Sequence, residues 1–321
     1  MMKRWVILLL ALQGIAILAL AGWLFRNWCP PLLVALPPLH LAAALGLSTV
    51  AVFGLRLLVS LNNFHLSSRF GSATPDHLRL GVDGAARLLL REFLSSMRVS
   101  SLDMLHPVGL QLVQPANAPQ GLPVLLVHGY LCNSGYWRPL SALFKRAGIS
   151  HLALDMEPLG ASIDELAAQV QAGVERLCAG TGSRQVVMVG HSMGGLVARA
   201  WVRRYGGDRA ARIITLASPH QGSKLARFAP GRNGAQMRYG SAWLRDLAAA
   251  DANLQRELFI SIYSVHDNMV APQNSSHFPP ARNLVFGGIG HVALGRHPRV
   301  MEAVLAEVRR AGIDMDKVLS A

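Results

Sequence analysis

The stretch Val189-Gly190-His191-Ser192-Met193-Gly194-Gly195 decides the reading of this chain. It has the form G-x-S-x-G. A short apolar run of β type, Gln185 to Val189, precedes it, and a helix-like stretch, Leu196 to Tyr205, follows. Strand, serine turn and helix in that order are what a nucleophile elbow requires. In so tight a turn, a side chain at Gly190 or Gly194 would run into neighbouring backbone. Glycine at both positions allows a strained conformation that exposes the Ser192 hydroxyl, with His191 at the variable position. The stretch points to a covalent serine mechanism.

Working outward, apolar strand-like runs alternate with helix-like ones. Strands are expected at Pro123 to Val127, His151 to Leu154, 185 to 189, Arg212 to Leu216, Leu258 to Val265 and Asn283 to Phe286. Helices are expected at Tyr136 to Ala147, Ile163 to Cys178, 193 to 205 and Pro298 to Ala311. This alternation predicts an α/β fold, a mainly parallel sheet with helices on both faces. Residues 221–257 are less regular and mix apolar residues with Arg227, Arg232, Arg238 and Arg245. They read either as a cap or lid over an apolar pocket or as ordinary surface helices.

A serine hydroxyl needs a base to take its proton and an acid to orient that base. In this fold class the order is Ser, then Asp or Glu, then His. Asp267 follows the apolar run Leu258 to Val265, at the carboxyl end of a strand, where sites in open α/β sheets lie. Its bland alternative is a turn aspartate that bonds its own backbone. Asp246 and Asp251 are poorer candidates, and the end of the preceding strand, Leu216 to His220, carries no acid. His291 follows Gly287-Gly288-Ile289-Gly290, a loop able to return an imidazole to the serine; His266, His277 and His297 compete. The developing oxyanion needs donors. The backbone N–H of Met193 supplies one, and that of Tyr130, in Val127-His128-Gly129-Tyr130, the other. His128 itself reads as a structural loop residue.

LLVHGYLCN, VGHSMGG, ASPHQGS, HDNMVAP and GGIGHVAL resemble, in order, the successive motifs of bacterial triacylglycerol lipases in the α/β-hydrolase superfamily. The resemblance covers roughly residues 105 to 312. It implies the α/β-hydrolase fold, ester hydrolysis, a Ser192–Asp267–His291 triad and backbone oxyanion donors at Tyr130 and Met193. It implies no cofactor. Secreted lipases of this kind carry a cleaved signal and often a disulfide or calcium site. This chain has no assignable acidic cluster, and Gln221 stands where such lipases often place arginine.

The remaining residues bear on location. The chain has 321 residues and is 51% hydrophobic but only 15% charged, with the apolar excess at the N-terminus. Residues 5–25 and 39–61 are each long and apolar enough to span a bilayer, so 1–61 is expected to be a membrane anchor, a transmembrane helical hairpin. A cleaved signal peptide with one span, or a buried soluble hairpin, are the alternatives. Arg56 lies near enough to a span end to snorkel to the interface. Lys3, Arg4, Arg56, Arg69 and Arg79 flank the spans on one side and only Arg26 lies between them, which places both termini in the cytosol, at the inner membrane of a bacterium. Residues 62–104 are expected to be a polar linker (62–76) and an amphipathic helix from about Pro75 to Met97, packed on the catalytic domain or lying on the membrane. The catalytic domain is 105–321.

Cys29, Cys132 and Cys178 are scattered, without metal-ligand spacing or a disulfide framework. The net charge of +13 lacks the clustered, aromatic-interleaved basic runs of nucleic-acid binders, so an anionic leaflet suits it better. The expected partners are an ester or lipid substrate and the bilayer, with no nucleic acid; oligomeric state is not readable. The function so read is a membrane-associated serine hydrolase of carboxylic esters. An acyltransferase or thioesterase with the same triad is the nearest alternative. A non-catalytic membrane protein with a hydrolase shell, and a transporter, stand further off.

Overall fold

The computed structural model describes residues 2–28, 37–109, 111–115, 119–251 and 256–319, without the side chains of 251, 256 and 314–319. Six parallel strands form one sheet: β1 (Val124–Val127), β2 (His151–Ala153), β3 (Val186–His191), β4 (Ala210–Leu216), β5 (Phe259–Ser264) and β6 (Arg282–Phe286), in the order β2-β1-β3-β4-β5-β6. Each expected strand lies within about two residues of its place, because each is a short apolar run closed by polar or glycine residues. Every residue of β1, β2, β3 and β5 is buried. A strand buried on both faces needs helices on both, and two core clusters meet this need. One holds Leu125, Met188 and Leu196; the other holds Leu126, Val189 and Val304.

Helix α1 is Met2–Asn27 and α2 is Pro37–Arg69. The second helix runs past the expected span end and through residues 62–69, which were expected to be linker. The serines explain this: Ser60, Ser67 and Ser68 return their hydroxyls to the carbonyls of Arg56, Phe64 and His65, so their polarity is satisfied inside the helix. Helix α3, Val82–Ser101, begins later than expected, after a turn at Asp76–Leu78 and an extended Gly81. Arg56 does not stand free at an interface. Its guanidinium bonds Gln13 of α1 and Ser100 and Ser101 of α3, tying three helices together. Cys132 and Cys178 are free thiols. Cys29 and most of the Pro-rich connector lie outside the described residues.

Met2 and Val6 of α1 are buried in the same cluster as Val99 and Met104, so the start of the hairpin is seated on the α/β domain. Beyond that seat most of the long apolar residues face outward: Leu18 is 65% exposed and Val50 68%. Helix α3 also divides. It buries Leu88, Glu92 and Val99 against the domain. At about 100° per residue, Leu90 lies opposite that face. Val82, Leu90 and Leu94 are exposed, and Arg87, Arg91 and Arg98 flank them. The expected apolar stripe therefore exists, but most of it points away from the domain.

Candidate active site

Ser192 stands at the carboxyl end of β3, before helix α4 of the serine turn, Met193–Tyr205. Its backbone is held at φ 54°, ψ −121°, a conformation that L-residues rarely adopt. Its N–H donates to Leu216 O at 2.7 Å. A Cβ on Gly190 would lie 2.7 Å from Gly194 C, and one on Gly194 would lie 2.3 Å from Val127 O. Both obstacles are backbone and cannot give way. Gly195 has little room as well, here against side chains: a Cβ there would meet Ser218 Oγ at 2.1 Å.

His291 opens a one-turn helix, His291–Leu294, after β6. A carboxylate only accepts, so His291 Nδ1–H donates to Asp267 Oδ2, at 2.7 Å. That leaves Nε2 for the cavity. The other Asp267 oxygen, Oδ1, accepts from the N–H groups of Met269 (2.7 Å) and Val270 (2.8 Å). The turn-aspartate alternative thus holds at the same time as the histidine contact: one oxygen builds the turn, and the other faces the ring. The backbone around His291 is pinned as well. Its N–H donates to Asn268 Oδ1 at 2.9 Å, and its carbonyl accepts from His191 Nε2 at 3.1 Å.

Burial by itself would lower the pKa of the His291 imidazole. The charge and hydrogen bond of Asp267, with Glu92 adding, outweigh it and raise the pKa above the ordinary value. His191, stacked on Tyr136 with ring centroids 4.3 Å apart, is held well below its usual pKa by burial and by His291. His128 Nε2 accepts from Met156 N–H, so its Nδ1 donates to Gly129 O; this imidazole is part of the loop framework. Burial pushes the Cys132 thiol up to about 12, which disqualifies it as a nucleophile near neutral pH.

Ser192 and His291 share the wall of a cavity of about 290 Å³ with Tyr130, Leu225 and Phe228, and with Asn63 and Leu66 of α2. A second cavity of about 200 Å³ touches the same serine and histidine and is closed by Ser96, Val99 and Met104. A larger groove, about 540 Å³, lies between Gln120–Leu122 and the C-terminal helix and contains none of these residues. Helix N-termini leave their first amides without intrahelical partners, and Met193 provides such an amide beside Ser192. Gly129 packs against the serine so closely that a Cβ there would be 3.0 Å from Ser192 Cβ, and Tyr130, the next residue, lines both cavities. His266, His277 and His297 line neither cavity. His266 Nδ1 instead accepts from Gly288 N–H. Asp246 is exposed on the 221–257 segment, and the side chain of Asp251 lies outside the described residues.

That segment is a run of short helical pieces: Lys224–Phe228, Gly231–Gln236, Ala242–Asp251 and Arg256–Leu258. Leu244 and Leu247 bury into the core, while Leu225, Phe228 and Met237 wall the larger cavity at the serine. It is both a helix layer and a pocket wall.

Sequence reasoning missed Glu92 and Asn268. Nothing local marks either one. Glu92 reaches backbone 200 residues away, and Asn268 is one polar residue in a loop of several.

Residues 123–261 match the family model described as alpha/beta hydrolase fold. A triacylglycerol lipase of Pseudarthrobacter phenanthrenivorans is 30% identical over 119 residues, 33% of this chain and 35% of that protein. A triacylglycerol lipase of Burkholderia plantarii is 30% identical over 119 residues, 33% and 32% respectively. The chain thus spans about a third of the length of the curated relatives it matches. The crystal structure of the mature Bacillus licheniformis lipase BlEst2 superposes with a TM-score of 0.57 at 17% identity, covering 63% of this chain and 99% of that one, a likeness of fold. This chain has the alpha/beta hydrolase fold and is distantly similar to bacterial triacylglycerol lipases and esterases.

Proposed function

We propose that the chain is a membrane-associated serine hydrolase of lipid-like carboxylic esters. The observation that carries this reading is the buried Asp267–His291 hydrogen bond on the wall of the apolar cavity that also holds Ser192 at its strained turn. In this reading His291 Nε2 takes the Ser192 proton as Oγ attacks the ester carbonyl. The oxyanion forms between the N–H groups of Met193 and Tyr130. Collapse breaks the carbon–oxygen bond, and the proton on Nε2 passes to the leaving alcohol. Water then attacks the acyl-enzyme, gives its proton to His291, and releases the acid and Ser192.

Three features support a bilayer as the site of action. Helices α1 and α2 are long and apolar enough to cross a membrane. Helix α3 turns an apolar stripe flanked by arginines away from the domain, the pattern of a helix lying in a lipid interface. The cavity at Ser192 takes Asn63 and Leu66 from the end of α2, so an acyl chain leaving the bilayer beside that helix meets the pocket directly. The serine test is Ser192→Ala assayed with a p-nitrophenyl ester. The expected loss is on the order of 10⁶-fold in kcat; an unchanged rate rejects the mechanism.

A further inference from the structure

Glu92 is a buried carboxyl group that the proposed reaction does not use. It lies on the inner face of α3, between the hairpin and the α/β domain, and is 2% exposed. Its Oε1 accepts from Val292 N–H and its Oε2 from Ala293 N–H, both at 2.9 Å. These are the two residues directly after His291. A Cβ on Gly290, the residue directly before it, would lie 2.5 Å from Glu92 Oε2. Glu92 therefore fits against the backbone on both sides of the histidine, and glycine at 290 leaves it room.

From these contacts we infer that Glu92 is a positioning residue for His291, fixing the backbone that aims the imidazole and adding a second negative charge behind it. The inference rests on the reading of His291 as the base. Both oxygens of Glu92 accept from N–H groups, contacts that favour the charged form of the carboxyl group. Its charged surroundings are few. His291 and Asp267 face it from the site, and Tyr136 approaches from the turn after β1, with Arg296 acting on Tyr136. His191 lies between Tyr136, on which it stacks, and His291, whose ring is tilted against it, and burial holds its pKa well below the usual value. On its own helix, Arg87, Arg91 and Arg98 are exposed on the other side. Burial, with Asp267 adding, raises the Glu92 carboxyl pKa above its ordinary value, although the two amides and His291 oppose that. In the same way the carboxylate helps to raise the pKa of the imidazole.

The arrangement also ties α3 to the histidine loop. Glu92 is the one residue of this helix whose side chain bonds the histidine loop among the described residues. A helix that faces lipid on one side thus holds the base of the proposed triad on the other.

The test uses the full chain in detergent or lipid, with Glu92→Gln and Glu92→Asp. Glutamine loses the charge and sets an NH₂ group against one of the two amides. Aspartate keeps the charge but is one methylene too short to span both. Rates are expressed per site titrated with a fluorophosphonate, which removes any loss from misfolding. For Glu92→Gln, kcat should fall about 10- to 100-fold, the cost of a slightly misplaced base, and the acid limb of kcat/KM should move to lower pH. Glu92→Asp should lose kcat while its limb stays nearer to wild type. Histidine-selective ¹³C NMR gives a readout without turnover: the His291 titration should move to lower pH in Glu92→Gln. A purely structural role would lower the melting temperature and leave both the limb and the NMR titration in place; that result overturns the inference. An inert wild-type enzyme would overturn the serine mechanism instead. A normal His291 shift in the NMR titration would separate the two failures.

Discussion

The central sheet and the N-terminal hairpin are built from the same residue types, Val, Leu, Ile and Ala, and use them in opposite ways. In β1 all four residues, Val124 to Val127, are buried. In α1 and α2, Ile15, Leu18, Val50 and Leu55 are each more than half exposed. A sheet strand covered by helices on both faces finds its apolar partner inside the protein. The hairpin meets the rest of the protein around Met2 and Val6, through Arg56 and at Asn63 and Leu66, and leaves most of its long apolar side chains uncovered between these points. Apolar composition alone therefore does not mark a core; the number of covered faces does. Helix α3 shows the contrast within one element, with a carboxylate on its buried side and leucines on its outer side.

The largest effect belongs to the site that the sheet carries. Asp267→Asn should lower kcat by about 10⁴-fold by removing the group that fixes the His291 tautomer; steady-state kinetics on a soluble ester would measure it. Next, Leu126→Ala in the buried strand should cost about 2–5 kcal/mol of stability, read by denaturant unfolding. In the hairpin, Leu18→Arg should leave the folded domain intact but oppose membrane insertion by about 2.5–3.5 kcal/mol, visible as a shift from membrane to soluble fractions. Should Leu18→Arg instead unfold the protein without moving it between fractions, the hairpin is a buried core element. Smallest of all, Leu18→Ala should change thermal stability by less than about 0.5 kcal/mol.

His291 acts as a base only when neutral, and its pKa is raised. kcat/KM should therefore fall as pH drops through a limb above the ordinary histidine value of about 6.5. The raised pKa also means that the protonated form favours folding. That contribution is fully present below the unfolded pKa and is lost as pH rises through the folded one.

The strands were legible because short apolar runs bounded by Gly, Pro and polar residues have few other uses. Gly190 and Gly194 were legible because the turn around Ser192 excludes any Cβ. Asp267 and His291 could be chosen by their place after strands, before any contact between them was visible. The end of α2 reads as loop because Asn62, Asn63, Ser67 and Ser68 are loop-type residues; only the structure shows the hydroxyls of Ser67 and Ser68 returning to helix carbonyls. Helix α3 was read by its apolar stripe, and that stripe faces outward. Glu92 was invisible because its partners are backbone amides two hundred residues away, and backbone carries no residue-type signal.

The central claim is that Ser192 is an activated nucleophile. Its most direct measurement is labelling of the full-length protein in membranes with a fluorophosphonate, followed by mass spectrometry of the modified peptide. The account predicts a single phosphonylated site at Ser192, lost in Ser192→Ala and strongly slowed in His291→Ala. Labelling at another residue, or none on folded wild-type protein, would contradict it.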